Sequence, residues 1–166
     1  MGKVFSASQL EQYETHGWVS PVDVLTQEQV HECRTRLEAW ESSRGGSLPA
    51  HERSGGHILF PWIDDLMRNE TILDAIEDLI GPDILCWSSV FWIKESHSPS
   101  YVGWHQDLQY WGLSSSDVVS IWIALSDASE AAGCMSVIPG SHKEVLGHEE
   151  TYAKDNLLSR GQELQI

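Results

Sequence analysis

His105 and Asp107 are the residues whose types and spacing best suit chemistry, because they stand two positions apart in the run "VGWHQDLQYWGL" of residues 102–113. On a β-strand, residues two apart point to the same face, so this imidazole and this carboxylate would converge while Gln106 faces away. They would supply two of the three ligands of a 2-His-1-carboxylate triad, which leaves positions on Fe(II) open for substrate and dioxygen. The spacing therefore predicts part of a metal site.

The bare pattern is not specific, because a histidine followed two positions later by a carboxylate recurs at His142 in "HKE" and at His148 in "HEE". Those two copies lie in a turn after "IPGS" and in the charged run "GHEETYAKD", where solvated side chains are the simpler interpretation. Only the first copy is flanked by large apolar side chains: Trp104, Leu108, Tyr110 and Trp111. A buried carboxylate without a partner is costly, so a cation is its natural compensation there.

The elements before residue 82 are predicted to be helical. "SASQLEQYETHG" ends at a glycine cap, and "TQEQVHECRTRLEAWESSRGG" opens on a capping box formed by Thr26 and Gln29. "NETILDAIEDLIGP" is a third helix with Ile72, Ile76, Leu79 and Ile80 facing inward, and Gly81 and Pro82 end it. The stretch "RGGSLPAHERSGG" between them is predicted to be a loop.

After Pro82 the pattern changes to β. "DILCWSSVFWIK", "YVGWHQDLQYW", "DVVSIWIAL" and "GCMSVIPGSH" are short, rich in β-branched and aromatic residues, and separated by turn residues. This texture is typical of an antiparallel barrel or jelly roll. We expect one domain over residues 1–166, mainly β with N-terminal helices, in which a helical part (1–81) packs on a sheet (82–166).

Composition excludes several function classes. The net charge of −15 disfavours nucleic acid and anionic membranes as partners. No segment approaches the roughly 20 apolar residues that span a bilayer, and the N-terminus lacks a signal sequence, so a cytoplasmic location is expected. Three widely spaced cysteines predict neither a disulfide framework nor a zinc finger.

The sequence resembles the phytanoyl-CoA dioxygenase family of iron- and 2-oxoglutarate-dependent oxygenases. The resemblance runs from "EQYETHGWVSPVDVLTQEQV" through "WHQDLQYWGL" to "VSIWIALSDASEAAGCMSVIPGSHK" and is strongest over residues 81–143. It implies a double-stranded β-helix, a jelly-roll and cupin-like fold, with His105 and Asp107 as the first two Fe(II) ligands and Trp122 lining the 2-oxoglutarate pocket. Lys94 could attract a carboxylate and His57 could reach the site, but a solvated lysine and a loop histidine are the simpler interpretations.

The implied reaction hydroxylates a small organic substrate with dioxygen, and 2-oxoglutarate is oxidised to succinate and carbon dioxide. Asp107 favours hydroxylation over halogenation, because the family's halogenating relatives carry a small residue at that position. The family's later histidine ligand and the arginine that anchors 2-oxoglutarate are not visible, and Arg160 is among the few later basic residues. The sequence therefore predicts a β-helix that is incomplete at the C-terminus and a chain that, alone, is doubtful as a catalyst. His148 or a second chain could complete the triad.

Two other functions stay open at this point. A cupin-like metalloprotein would bind metal through His105 and Asp107 without 2-oxoglutarate. A non-catalytic jelly-roll module would use Trp104, Tyr110 and Trp111 as a ligand platform, with His105 and Asp107 hydrogen-bonded to each other. The substrate and the oligomeric state are not determined by the sequence.

Overall fold

The computed structural model of the chain describes residues 2–158 and 162–164. Its N-terminal part contains the predicted helices. Helix α1 (Ala7–His16) begins at Ser6 and α2 (Gln27–Arg44) begins at Thr26, each with a complete capping box, and both end at a glycine in the left-handed conformation. These bounds confirm the helix signals, because caps satisfy terminal backbone groups from nearby residues.

Three further helices follow the loop. They are α3 (Gly56–Leu59), α4 (Pro61–Met67) and α5 (Glu70–Ile80). The α5 prediction is confirmed: Asn69 caps its start through the Ile72 N–H, and Gly81 follows its end. Ile72 is buried as expected, whereas Ile80 is exposed, so the inward stripe stops short of the last turn. The short α3 and α4 were not predicted.

The core lies beneath the segment that was predicted to be a simple loop. Leu48 is fully buried and packs with Phe60 and Ile63. The side chains packed against this cluster come from α2, α4 and the chain beyond residue 90: Trp40, Trp62, Met67, Phe91 and Ile93. Trp40 and Phe91 each meet the Phe60 ring edge-on, with ring centroids 5.5 and 5.8 Å away. Aromatic packing of this kind stabilises the helical half beyond the area that it buries.

The predicted mainly-β fold is wrong for this structure. Among the described residues, the only sheet is an antiparallel pair of β1 (His148–Glu150) and β2 (Gln162–Leu164). The segments predicted as strands are largely irregular, with isolated bridges from Val90 to Ser54 and from Tyr101 to Asn156. The double-stranded β-helix that the resemblance implied is therefore not formed here. A strand needs a neighbour to accept and donate its ladder hydrogen bonds, and these segments have no such neighbour among the described residues.

One predicted strand contains a helix instead. Helix α6 (Leu108–Trp111) occupies the end of "YVGWHQDLQYW" and ends at Gly112, which has a φ of 65°. The N–H of Tyr110 bonds back to the carbonyl of Asp107, so the chain turns at Asp107 rather than continuing extended.

Large apolar side chains remain exposed along the β-prone half. Leu85 and Trp87 are examples in the first segment, and Met135 is one in the last. No second layer within residues 2–158 and 162–164 covers them, so β-propensity here is not converted into a buried sheet. In the same described part of the chain, no helix combines the length and apolar character that crossing a bilayer requires.

Candidate metal centre

Backbone contacts fix the segment that leads into His105. The bridge at Tyr101 ties it to Asn156, and the carbonyl of Trp104 accepts the N–H of Leu164 at 2.8 Å. Between them Gly103 is buried, and a Cβ there would stand 2.9 Å from the Asn156 amide nitrogen and 3.0 Å from the carbonyl oxygen of Gln162. Glycine at 103 therefore allows the chain to pass closely between these neighbours.

The side chains of His105 and Asp107 lie next to each other, but they meet across a turn and not on the strand that the spacing argument assumed. His105 Nε2 lies 3.1 Å from Asp107 Oδ1. The other ring nitrogen, Nδ1, lies 2.8 Å from the Gly103 carbonyl oxygen, which can only accept, so Nδ1 carries a proton. Nε2 is therefore the nitrogen whose lone pair, when the ring is neutral, faces the carboxylate.

Asp107 is held from its other side by Ser120, whose hydroxyl donates to Oδ2 at 2.6 Å. This bond leaves Oδ1 as the oxygen that faces His105. The sequence did not predict this role of Ser120. The one feature that could have indicated it is the position of a hydroxyl residue two places before Trp122 in a β-prone segment. Together with the Gly103 carbonyl, Ser120 forms the outer set of contacts that orient the pair.

The pKa shifts of the two residues favour the charged form of each. The hydrogen bond to Asp107 raises the pKa of His105, and this outweighs the opposing effect of burial. Burial alone would raise the pKa of Asp107, but the hydrogen bonds from His105 and Ser120 overcome it and hold that pKa below its usual value. The side chains of His105 and Asp107 are 20% and 41% exposed, so the site is open to solvent on the carboxylate side.

This donor set fits a divalent metal such as Fe(II). Two ligands about 2.1 Å from one metal and at right angles to each other stand about 3 Å apart, which is close to the observed separation of Nε2 and Oδ1. The outward contacts from His105 to a carbonyl and from Asp107 to a hydroxyl are those that metal ligands commonly make. The residues present could therefore hold a metal as a pair.

A third ligand is not found among the described residues, where no group of three histidine, cysteine or acidic side chains could hold a metal ion. His148 does not complete the triad: its Nε2 accepts the N–H of Gln106 at 2.8 Å and its Nδ1 donates to the Leu146 carbonyl at 2.9 Å. His142 bonds to the carbonyl of Glu14. Arg160, a basic residue considered from the sequence, lies outside the described residues.

The remaining sequence candidates have these positions. Trp122 is 43% exposed, and its predicted contact with 2-oxoglutarate stays a prediction. The Lys94 amine donates to the Gly133 carbonyl at 2.6 Å. The His57 ring bonds to the Ser89 hydroxyl at 2.8 Å. These bonds join Lys94 and His57 to residues 39 and 32 positions away in the chain, and neither partner is His105 or Asp107.

Comparison with known proteins decides the family. Residues 13–163 match the family described as phytanoyl-CoA dioxygenase (PhyH). The chain belongs to the phytanoyl-CoA dioxygenase family. The match covers nearly the whole chain and includes the histidine and carboxylate pair, so the resemblance seen in the sequence motifs is confirmed.

The chain is also similar to individual proteins that are named as dioxygenases and as a hydroxylase. An ectoine dioxygenase of Streptomyces coelicolor is 26% identical over 91% of this chain and 56% of its own length. An L-proline trans-4-hydroxylase of Streptomyces griseoviridis is 26% identical over 78% of this chain and 52% of its own length. A probable alpha-ketoglutarate-dependent hypophosphite dioxygenase of Stutzerimonas stutzeri is 36% identical over 52% of this chain and 30% of its own length.

The chain spans about half the length, or less, of these curated relatives. No solved structure matches it significantly.

Proposed function

We propose that this phytanoyl-CoA dioxygenase family chain forms part of an Fe(II)- and 2-oxoglutarate-dependent dioxygenase that hydroxylates a small organic substrate. The observation that carries the proposal is the His105 and Asp107 pair, 3.1 Å apart and oriented from outside by Gly103 and Ser120. The relatives named for ectoine, proline and hypophosphite support a small substrate and dioxygen as partners. The net charge of −15 disfavours nucleic acid.

In this function His105 Nε2 and Asp107 Oδ1 would hold the metal, and both belong to the same short turn. The bound Fe(II) and 2-oxoglutarate would supply the oxidising chemistry, in which dioxygen hydroxylates the substrate and 2-oxoglutarate becomes succinate and carbon dioxide. The chain's own contribution is to orient the pair: the Gly103 carbonyl holds the His105 proton on Nδ1, and Ser120 holds one oxygen of Asp107. A carboxylate at position 107 favours hydroxylation over halogenation.

The third ligand and the anchor for 2-oxoglutarate would come from outside the described residues. Two ligands bind a divalent ion weakly, so the described part of the chain is proposed as an incomplete metal site rather than a competent catalyst. Residues 1–166 are assigned to one domain of that enzyme, and the family match over 13–163 supports this.

Trp122 is assigned to the 2-oxoglutarate pocket. It lies two residues after Ser120, and Ser120 touches Asp107. In an extended segment, residues two apart face the same side, so the indole would lie beside the metal pair. Its exposure leaves it available for contact with a ligand.

A non-catalytic binding module is the second candidate, because His105 and Asp107 bond directly to each other in this structure. In that function the pair is only a structural hydrogen bond. Trp104 is 39% exposed and would form part of the ligand platform. A cupin-like metalloprotein differs from both in binding metal without consuming 2-oxoglutarate, so succinate formation in a protein with the complete site distinguishes it.

Calorimetric titration with Mn(II), a redox-stable substitute for Fe(II), tests the metal site. We expect the wild-type chain to bind one Mn(II) weakly, as two ligands allow, and His105→Ala and Asp107→Ala each to weaken this binding at least about tenfold. His51→Ala and Asp117→Ala are matched controls, because they remove the same side-chain types from exposed positions. Wild-type affinity no higher than that of the two site variants would reject the metal centre and favour the binding module.

A further inference from the structure

Gln106 lies between the two candidate ligands, and every polar group of its side chain is hydrogen-bonded to the backbone of residues 141–146. Its amide nitrogen donates to the carbonyl of Ser141 at 2.9 Å and to that of Glu144 at 2.8 Å. Its amide oxygen accepts the N–H of Leu146 at 2.9 Å. Both amide hydrogens are thus used on backbone groups 35 and 38 residues away, and the oxygen on one 40 residues away.

The backbone of Gln106 adds a fourth bond to the same segment. Its N–H donates to Nε2 of His148 at 2.8 Å. The His148 ring is itself fixed, because Nδ1 donates to the Leu146 carbonyl and the ring packs against Tyr110 in a T-shaped arrangement, with centroids 5.5 Å apart. Residues 141–148, which we call the clamp segment, are therefore attached to Gln106 at four points.

The clamp segment is anchored at its other end to helix α1. The Gly140 N–H donates to the His16 carbonyl at 2.9 Å, and His142 Nε2 bonds to the Glu14 carbonyl at 3.1 Å. A Cβ on Gly17 would overlap the His142 ring, so glycine at this position allows the close contact. The helical half of the chain thereby supports the segment that holds Gln106.

Regular secondary structure does not orient the metal pair, since residues 102–106 belong to neither a helix nor a strand. Backbone bonds hold the turn at Trp104 and at Asp107. Side-chain bonds add to them, and Gln106 makes more of these than either neighbour. His105 and Asp107 are joined to it directly through the backbone. A shift of Gln106 would therefore displace both donor atoms together, and ligand sites depend on positions held to within about 0.5 Å.

We propose that Gln106 is a positioning residue of the metal site, which joins the His105 and Asp107 turn to the clamp segment and sets the spacing of the two donors. This inference rests on the proposed function for the metal and deepens it. Gln106 does not act as a ligand or a substrate contact, because its amide groups are already used by Ser141, Glu144 and Leu146.

Two variants test the clamp. Gln106→Met keeps the length of the side chain but removes its hydrogen bonds. Gln106→Glu keeps an acceptor for Leu146 but turns a carboxylate oxygen toward the carbonyls of Ser141 and Glu144, and is expected to act more strongly. Gln109→Met is the matched control, because Gln109 is exposed on α6.

The measurements are amide hydrogen exchange, resolved by segment, and Mn(II) affinity. We expect faster exchange in residues 104–112 and 141–148 in both Gln106 variants, with α2 and α5 unchanged and Mn(II) affinity lower by about 10- to 100-fold. The control should alter neither quantity. Exchange in 104–112 that stays at the wild-type rate in Gln106→Met would overturn the clamp, and so would faster exchange with Mn(II) affinity unchanged.

Failure of the proposed function gives a different result. If the wild-type chain binds Mn(II) no more tightly than His105→Ala and Asp107→Ala do, the metal centre is rejected, while the exchange rates of residues 104–112 still decide whether Gln106 fixes this turn. If Gln106→Glu does not fold, the comparison between Gln106→Met and Gln109→Met decides the outcome.

Discussion

Ser120 donates a hydrogen bond of 2.6 Å to Oδ2 of Asp107, although 13 residues separate the two in the chain. The bond uses one carboxylate oxygen and leaves the other facing His105. It therefore selects which oxygen of Asp107 is available to a metal, and it connects the segment that carries Trp122 to the candidate site.

Ser120→Ala should weaken Mn(II) binding by about 10- to 100-fold, because loss of an orienting contact to a metal ligand typically costs that much. Ser120→Thr keeps the hydroxyl and should restore most of the affinity. Calorimetry measures the effect. Ser115→Ala is the control, since it removes a similar bond from Ser115 to Asp117 away from the site. Equal Mn(II) affinities for Ser120→Ala and the wild type would show that this bond does not orient the ligand.

The stability contributed by the His105 and Asp107 pair should depend on pH. Because the folded chain raises the pKa of His105, the contribution is complete below about pH 6.5 and is lost as the pH rises through the raised value. Because the pKa of Asp107 is lowered, the contribution is complete above about pH 3.9 and is lost as the pH falls through the lowered value. Between these limits the pair is fully charged.

Urea unfolding of the wild type and of Asp107→Asn checks this pH dependence. The wild-type advantage in the free energy of unfolding should be larger near about pH 5.5 than near about pH 9. The exposure of the Asp107 side chain keeps the effect small. Asp117→Asn, the control, should show no such difference. An advantage that grows toward high pH would contradict the assigned charges.

Trp122→Ala should weaken the binding of 2-oxoglutarate while Mn(II) binding is retained, because the indole is proposed to line the cofactor pocket without touching the metal. Calorimetry with 2-oxoglutarate in the presence of saturating Mn(II) measures this in protein with the complete site. Trp92→Ala is a matched control, as both indoles are 43% exposed. If the two variants bind 2-oxoglutarate equally well, Trp122 has no role in the pocket.

Leu48→Ala should lower the free energy of unfolding by about 2–5 kcal/mol, since it creates a cavity at a fully buried position. Leu85→Ala removes the same side chain from a position that is 86% exposed and should change stability by less than about 0.5 kcal/mol. Urea unfolding of both variants tests the placement of the core. Similar losses in the two variants would show that the core is not built around Leu48.

Local signals in the sequence were sufficient for the helices. The capping box of Thr26 with Gln29 and the glycine after His16 involve partners within a few residues, so α1 and α2 could be bounded from the sequence. The buried role of Leu48 could not, because its neighbours Phe60 and Ile63 lie outside its own loop. The mainly-β prediction failed for a related reason. The β-propensity of a segment does not determine whether another segment pairs with it to form a sheet.

By itself the sequence determined the first helices and the identity of the histidine and carboxylate that meet, because each depends on residue types at short spacing. It also determined the family, because the match over residues 13–163 compares residue types in order and needs no tertiary structure. Only the tertiary structure decided that these two meet across a turn rather than along a strand. It also decided that Ser120, Gln106 and the clamp segment hold them. Ser120 lies 13 residues from Asp107, and His148 in the clamp segment lies 42 residues from Gln106. A hydrogen bond over such a separation depends on how the intervening chain folds.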